Sequence, residues 1–146
     1  MVWTITTSLV DDMPADSARD TLVRFIAAFR SMDEARFENF LARDIVAFLP
    51  CGSEGQQRCE GRTEVMSQFR EFFAKVRATG VPAIDVRQTG LGLRSWGDTA
   101  MATFELEGEM RAGCRTIVLR RDCGEWRIVH LHVSSAAMVE QEPVPA

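Results

Sequence analysis

The sequence contains no tyrosine, two histidines and a single lysine, Lys75. Arginines carry the rest of the basic charge and are spread along the chain, and the formal net charge is −4. Because phosphate binding needs a concentrated basic face, this distribution disfavours nucleic acid as a partner. No stretch approaches the roughly 20 apolar residues of a membrane span, and the N-terminus lacks the pattern of a signal peptide. We therefore expect a cytoplasmic protein that binds neither nucleic acid nor membrane.

The cysteines show no CxxC pairing; they are Cys51, Cys59, Cys114 and Cys123. Without an export signal, reduced thiols are expected. A disulfide between Cys51 and Cys59 across a short hairpin is the less favoured alternative. A zinc site built from cysteines and histidines is disfavoured further, because no two of these ligands have metal-site spacing. We predict no metal and no cofactor.

The length and composition indicate one domain. The chain has 146 residues, of which 46% are hydrophobic and 26% charged, which is enough to bury a core. Residues 1–14 are predicted to be a leader that is either an edge strand or partly disordered. Residues 15–138 form the domain, and the polar, proline-bearing residues 139–146 form a flexible tail.

The first half of the chain has helical periodicity. Leu22, Phe25, Ile26 and Phe29 form one stripe of a first helix. Ser17 with Asp20 is a capping pair at its start, and Ser31 with Glu34 is a second capping signal. The second helix would present Phe37, Phe40 and Leu41, and the third would run from near Thr63 to Gly80. Residues 45–49 predict a short strand that Pro50 ends.

The second half has the period of strands. Ala100, Ala102, Phe104 and Leu106 alternate with more polar residues, which predicts one buried face. Residues 116–119 and 126–134 predict a hairpin around a four-residue loop, residues 122–125. Residues 81–96 predict another strand, with a bulge or bend at Gly90 and Gly92. Helices followed by strands indicate an α+β fold, in which a strongly curved, cone-shaped antiparallel sheet wraps three N-terminal helices and leaves a cavity at its open end.

These elements resemble a known family. The similarity rests on the strand end Phe48-Leu49-Pro50, the helix entry Glu60-Gly61-Arg62 and the stretch from Arg120 to Ser134, which contains Trp126, His130 and His132. In these features the chain resembles the SnoaL-like branch of the nuclear transport factor 2-like superfamily, from about Ser17 to Ser135. The same stretch is similar to the association domain of calcium/calmodulin-dependent protein kinase type II. The resemblance implies the cystatin-like curved-sheet fold, which hosts isomerases, dehydratases, cyclases and assembly modules.

The sequence departs from the functional residues that the resemblance implies. Ketosteroid isomerases of this fold place a base carboxylate before the proline that ends the first strand, where this chain has Leu49. They also use a tyrosine, which this chain lacks. The arginines that line kinase association pockets correspond here to Leu106 and Thr116, although Arg115 and Arg120 lie nearby. We therefore assign no catalytic residues and leave open whether the protein is an enzyme.

His130 and His132 are the candidate polar groups of a pocket. Residues two apart on a strand point the same way, so they are predicted to share a face with Trp126, Ile128 and Ser134. An imidazole in a partly apolar cavity can bind a polar group or transfer a proton. The alternative is that hydrogen bonds across the sheet, or a subunit interface, satisfy both imidazoles. The paired arginines, Arg120 and Arg121, are interpreted as a solvated hairpin end, and Asp33 and Asp44 as helix caps.

Two functions remain open. The first is binding of a small organic molecule in an apolar pocket, with ligand-binding candidates His130, His132, Trp96, Phe29, Phe48, Met66, Phe69 and Thr116. The second is a non-catalytic oligomerisation or accessory module. The last strands carry apolar residues on both faces, so one face is predicted to cover the helices and the other to form a homodimer.

Overall fold

The computed structural model describes residues 17–50, 55–108 and 113–134. Within them the helices are α1 (Ala18–Ser31), α2 (Glu34–Asn39) and α3 (Arg62–Ala78). The strands are β1 (Leu41–Pro50), β2 (Gln56–Glu60), β3 (Val86–Trp96), β4 (Thr99–Gly108), β5 (Gly113–Asp122) and β6 (Glu125–Val133). The helices thus belong to the first half and four consecutive strands to the second, which confirms the predicted α+β class.

The helix ends follow local chemistry. The side chain of Ser17 accepts a hydrogen bond from the Asp20 N–H, which confirms the predicted cap of α1. Met32 ends this helix in the left-handed conformation, with φ 56°. The prediction that Ser31 opens α2 is wrong, because the carboxylate of Asp33 caps that helix by accepting from the Arg36 N–H. Helix α3 begins after Gly61 and ends before the predicted Gly80.

The strands form one curved, unclosed sheet in the order β2-β1-β6-β5-β4-β3. The expected antiparallel meander is present from β3 to β6. Strands β1 and β6 add one parallel pair, which joins the first long strand to the last. This long-range pairing places the residues of β1 beside the histidines of β6.

Strand β1 is longer than the sequence pattern predicted. Phe40 is the last residue of the α2 turn and Leu41 already lies in β1, so the predicted extension of α2 through Leu41 is wrong. Asp44 also lies in this strand, and its predicted role as a helix cap is wrong. The connection between β5 and β6 is shorter than expected, since only Cys123 and Gly124 join the strands. Both have positive φ, as a tight hairpin turn requires.

The sheet has an inner face, which packs against the helices, and an outer face. The alternation of β4 is confirmed, because Ala100, Ala102, Phe104 and Leu106 are all buried on the inner face. The predicted irregularity in β3 is also present, as a register shift between Thr89 and Gly92. The core joins this inner face to buried helix residues such as Leu22, Phe37 and Phe73. Among the described helices, none combines the length and apolar character needed to cross a membrane.

Candidate functional site

A cavity of about 620 Å³ lies between the inner face and the helices. Its helical wall comes from the C-terminal part of α1 and the middle and end of α3. Its sheet wall comes from β1, β3, β4, β5 and β6. The lining is mainly apolar: Phe25, Ile26, Phe29, Phe37, Leu49, Pro50, Phe69, Phe72, Val76, Ile84, Val86, Phe104, Leu106, Ile117, Leu131 and Val133. A cavity of this size and character suits a small organic molecule.

Phenylalanines of the helices make the apolar wall. Phe29 stacks on Phe72 with ring centroids 6.1 Å apart and meets Phe69 edge-on at 6.3 Å. Phe37, which is fully buried, lies 4.7 Å from Phe69 between ring centroids. The cluster holds Phe29 and Phe69 against the cavity, where the sequence predicted them. Such rings favour an aromatic or flat apolar ligand through offset and edge contacts.

Arg115 is the charged group of the sheet wall. It lies on β5 opposite Phe104 of β4 and Val133 of β6, both of which are inner-face residues. Its Nη1 donates to the carbonyl oxygens of Cys114 and Ser134, each at 3.1 Å. Nε and Nη2 have no hydrogen-bond partner among the described residues, and no described carboxylate forms an ion pair with this guanidinium.

Burial changes the acid–base behaviour of this guanidinium. Desolvation among the apolar lining residues lowers the pKa of Arg115 to about 10, and the nearby Cys114 opposes that shift. At neutral pH the group remains charged. The cavity wall therefore contains a half-buried cation whose Nε and Nη2 have no partner among the described residues, which is a suitable receptor for a carboxylate.

The remaining polar lining residues lie on α3. Gln68 is half-buried, whereas Glu71, Lys75 and Thr79 are exposed. The Thr79 hydroxyl donates to the carbonyl of Val76 at 2.6 Å. These side chains form a polar edge on a cavity whose walls are apolar. No histidine is among the described residues that line it.

The expectation that His130 and His132 share a face with Trp126 and Ile128 is wrong. Ile128 pairs with Leu119, but His130 pairs with Val118, so Val129 is an extra residue in β6. This bulge shifts the alternation of side chains. Trp126 and Ile128 are therefore buried on the inner face, and so are Leu131 and Val133 beyond the bulge. The histidines turn to the outer face, outside the cavity.

Each imidazole has a definite environment on the outer face. His130 is half-buried and its Nδ1 lies 2.8 Å from the carbonyl oxygen of Val46. A carbonyl oxygen only accepts, so Nδ1 carries the hydrogen and donates. His132 is exposed. The ring of Phe48 meets both imidazoles edge-on, with centroid distances of 5.8 Å to His130 and 5.6 Å to His132.

The other predicted ligand-binding residues also lie outside the cavity lining. Phe48 belongs to the histidine cluster, and Thr116 pairs with His132 on the outer face. Trp96 is 56% exposed at the end of β3, where its partner is Thr99. Met66 is fully buried in the core. Only Phe29 and Phe69 of the predicted set line the cavity.

Arg115 is the lining residue that sequence reasoning did not select. The resemblance pointed to Leu106 and Thr116, of which Leu106 lines the cavity and Thr116 does not. The pattern Arg115-x-Ile117-x-Leu119 contained the needed signal, because it places an arginine on the apolar face of a strand. A charged residue at such a position is unusual and indicates a binding role.

The paired arginines lie at the hairpin end, as predicted, and both are in ion pairs. Arg120 makes hydrogen bonds to both carboxylate oxygens of Asp44, at 3.3 and 3.2 Å, and one to Asp122 at 2.8 Å. These bonds raise the pKa of Arg120, and the same contact lowers the pKa of Asp44. Arg121 pairs with Asp98 and lies over the ring of Trp126. This cluster is structural.

The described residues contain no group of three or more histidine, cysteine or acidic side chains placed to hold a metal ion. Cys59 is buried on β2, whereas Cys114 and Cys123 are exposed. Cys51 lies outside the described residues, so the expected reduced thiols stay a prediction and a disulfide between Cys51 and Cys59 stays the less favoured alternative. The polar chemistry of the cavity consequently rests on Arg115 and the polar edge of α3.

Helices packed into an open, curved sheet of six strands define a protein of the cystatin-like or nuclear transport factor 2-like class. The sequence model of the SnoaL-like domain matches residues 18–138, and the chain belongs to that family. This membership confirms the resemblance that the terminal strand indicated.

Solved structures agree on the fold. A nuclear transport factor 2-like protein of unknown function from Pseudomonas putida is 20% identical, with a TM-score of 0.69 over 88% of this chain and 87% of that one. A protein from Thiobacillus denitrificans, named for the calcium/calmodulin-dependent protein kinase type II association domain, is 20% identical, with a TM-score of 0.64 over 81% and 94%. A protein from Shewanella frigidimarina, named for ketosteroid isomerase, is 23% identical, with a TM-score of 0.65 over 82% and 97%. No curated protein matches the sequence.

Proposed function

We propose that the protein binds a small, flat, apolar organic acid in the inner cavity, with the acidic group at Arg115. The observation that carries this proposal is the environment of the guanidinium. It is desolvated at the wall of an apolar cavity, and the described residues offer it only backbone carbonyls. Burying a charge in this way costs free energy unless a counter-ion arrives. A carboxylate ligand supplies that counter-ion and uses the free donors.

The shape of the cavity supports the apolar part of the proposal. About 620 Å³ accommodates a one- or two-ring molecule. The acid would lie at the sheet wall, and its rings would extend toward Phe29, Phe69 and Phe72 of the helices. Binding is the function this geometry supports best, since the cavity combines apolar walls with a cation, Arg115, on its sheet side.

Calorimetric titration with a matched pair of probes tests the proposal. The probes are 2-naphthoate and 2-naphthalenemethanol, which share their rings and differ in charge. We expect the acid to bind at least about tenfold more tightly, since a hydrogen bond to a charged group contributes roughly 1.5–3 kcal/mol. Arg115→Met should remove this preference and keep the binding of the alcohol. Arg43→Met, which replaces an exposed arginine of β1, is the control and should change neither affinity.

Two results would contradict the proposal. If neither probe binds the unmodified protein at millimolar concentration, the cavity is not a site for molecules of this class. If the acid binds more tightly but Arg115→Met leaves that preference intact, another group receives the carboxylate.

We also propose that the outer face forms a homodimer interface, which corresponds to an assembly role. Half-buried apolar residues support it: Val46, Phe48, Met101 and Val118 lie in one region of this face. Charges of both signs flank that region, as the pairs Arg58–Glu60 on β2 and Arg87–Glu107 on β3 and β4. A two-fold axis brings a face against itself, so a neutral centre with mixed charges at its edges is self-complementary. Sedimentation showing a monomer at micromolar concentration and pH 8 would contradict this second proposal.

A further inference from the structure

The two histidines of the chain lie together in the apolar region of the outer face. His130 pairs with Val46 of β1 and Val118 of β5, and His132 pairs with Phe48 and Thr116 of the same strands. No other histidine occurs in the sequence. Any effect of imidazole protonation on the protein therefore arises on this surface.

The hydrogen-bonding pattern identifies where a proton would add. Nδ1 of His130 donates to the Val46 carbonyl at 2.8 Å, so the neutral ring carries its free lone pair on Nε2. Protonation of Nε2 keeps that hydrogen bond and adds a positive charge. His132 is exposed and accepts a proton without losing any contact that holds the sheet. Both rings can therefore change charge while the fold stays intact.

The charged groups around the imidazoles do not offer them a counter-ion. No ion pair among the described residues includes either histidine. The carboxylates that pair with arginines are Asp44, Glu60, Glu107, Asp122 and Glu125, and Glu105 lies on β4, which β5 separates from the histidines of β6. The guanidinium of Arg58 lies over the Phe48 ring at 5.7 Å and binds Glu60. Besides Arg115 and Arg121, which pair with the inner-face residues Val133 and Trp126, the charged residues of the strands are Arg43 and Asp44 (β1), Arg58 and Glu60 (β2), Arg87 and Arg94 (β3), Glu105 and Glu107 (β4), Arg120 and Asp122 (β5), and Glu125 and Arg127 (β6).

We propose that His130 and His132 make the homodimer sensitive to protons, so that the outer faces associate when the imidazoles are neutral and separate when they are charged. This inference rests on the proposed assembly role and specifies its regulation. In the proposed two-fold dimer, the imidazoles of both chains lie within one apolar interface. Charging them there costs both desolvation and mutual repulsion, whereas in the monomer the charge is solvated.

The direction of the pH effect follows from linkage. Because the interface disfavours the charged form, the separated chains bind more protons than the dimer does. Association is therefore strongest above the range in which an imidazole ordinarily titrates, near pH 6.5, and weakens as the pH falls through that range. The dimer dissociation constant should rise at least about tenfold between pH 8 and pH 5.5, since a one-unit shift at one imidazole contributes about fivefold at pH 5.5 and a two-fold dimer contains that imidazole twice.

Sedimentation velocity of the full chain at pH 8.0 and pH 5.5, over micromolar concentrations, measures this change. Circular dichroism at both pH values verifies that the chain stays folded. The double variant His130→Gln, His132→Gln retains polar side chains that do not titrate, and we expect a dimer of equal strength at both pH values. The single variant His132→Gln, at an exposed position, provides the same comparison if the double variant folds poorly. It should show a smaller pH dependence than the unmodified protein.

The outcomes distinguish the pH dependence of the dimer from the existence of the dimer interface. A dimer with the same dissociation constant at both pH values would overturn the proposed pH sensitivity but not the proposed interface. A monomer at both pH values would overturn both. A pH dependence that survives in the double variant would show that other groups are the sensors and would overturn the role of the histidines. A pH dependence that is unchanged in His132→Gln would overturn the role of His132.

Discussion

Two arginines of strand β5, one on each face of the sheet, have pKa values shifted in opposite directions. On the inner face, desolvation lowers the pKa of Arg115 to about 10, and no described carboxylate pairs with it. On the outer face, the hydrogen bonds that Arg120 donates to Asp44 and Asp122 raise the pKa of Arg120. Among the described residues, carboxylates pair with Arg120 and none pairs with Arg115. The comparison indicates that Arg120 is a structural residue, and it supports the proposal that Arg115 receives the acidic group of a ligand.

One extra residue in β6, Val129, determines which side chains of this strand lie on the inner face and which on the outer face. Without this extra residue, strict alternation from Ile128 would direct His130 and His132 inward and Leu131 and Val133 outward. The bulge keeps apolar side chains on the inner face along the whole of β6. It therefore supplies the cavity with an apolar wall and supplies the outer face with its two imidazoles.

The largest expected effect is a difference in stability between substitutions at two neighbouring residues of β6 that lie on opposite faces, Leu131 and His132. Leu131→Asn places an amide in the core, where Leu131 is 3% exposed, and should lower the free energy of unfolding by about 3–5 kcal/mol. His132→Asn, at an exposed position, should change it by less than about 1 kcal/mol. Urea denaturation at one protein concentration measures both. Equal losses would mean that the bulge does not divide the faces as described.

The fold was predictable because its signals are local and periodic. The apolar stripe on α1 and the alternation on β4 report buried faces directly, and both are confirmed by Leu22, Phe25, Phe104 and Leu106. Phe29 and Phe69 were predictable for the same reason, since the face of a helix that meets the sheet also forms the wall of the cavity. Periodicity identifies which side of an element is apolar, and the helical part of the site follows from that.

The polar part of the site could not be predicted in the same way. A bulge is an irregularity of pairing between strands, and nothing in the residues around Val129 distinguishes it from regular alternation. The assignment of His130 and His132 to the cavity failed for that reason. Arg115 is a different case: its alternation with Ile117 and Leu119 marked it as an inner-face residue, but the family comparison directed attention to Thr116, one residue away on the other face.

An intermediate effect tests the contrast between the two arginines of β5. Arg115→Met removes a half-buried charge that has no carboxylate partner among the described residues. It should raise the free energy of unfolding of the ligand-free protein by about 1–3 kcal/mol, since burying an uncompensated charge is costly. Arg120→Met removes an exposed ion pair and should lower that free energy by up to about 1 kcal/mol. Thermal and urea unfolding would reveal the opposite signs. Destabilisation by both substitutions would mean that Arg115, too, is satisfied within the chain.

The smallest effect concerns the pH dependence of the outer-face pair. The hydrogen bond from Arg120 lowers the pKa of Asp44 below its value in the unfolded chain. The folded state therefore gains stability from the ionised carboxylate above the unfolded pKa, and loses it as the pH falls through the folded pKa. Because Asp44 is 66% exposed, screening limits the gain to less than about 1 kcal/mol.

Asp44→Asn should be slightly less stable than the unmodified protein at pH 7, and the difference should narrow between about pH 5 and pH 3, where carboxylates become protonated. Urea unfolding across this range measures the difference. A difference that stayed constant with pH would mean that the Asp44–Arg120 pair contributes through packing and not through charge. The electrostatic contrast between Arg120 and Arg115 would then be lost.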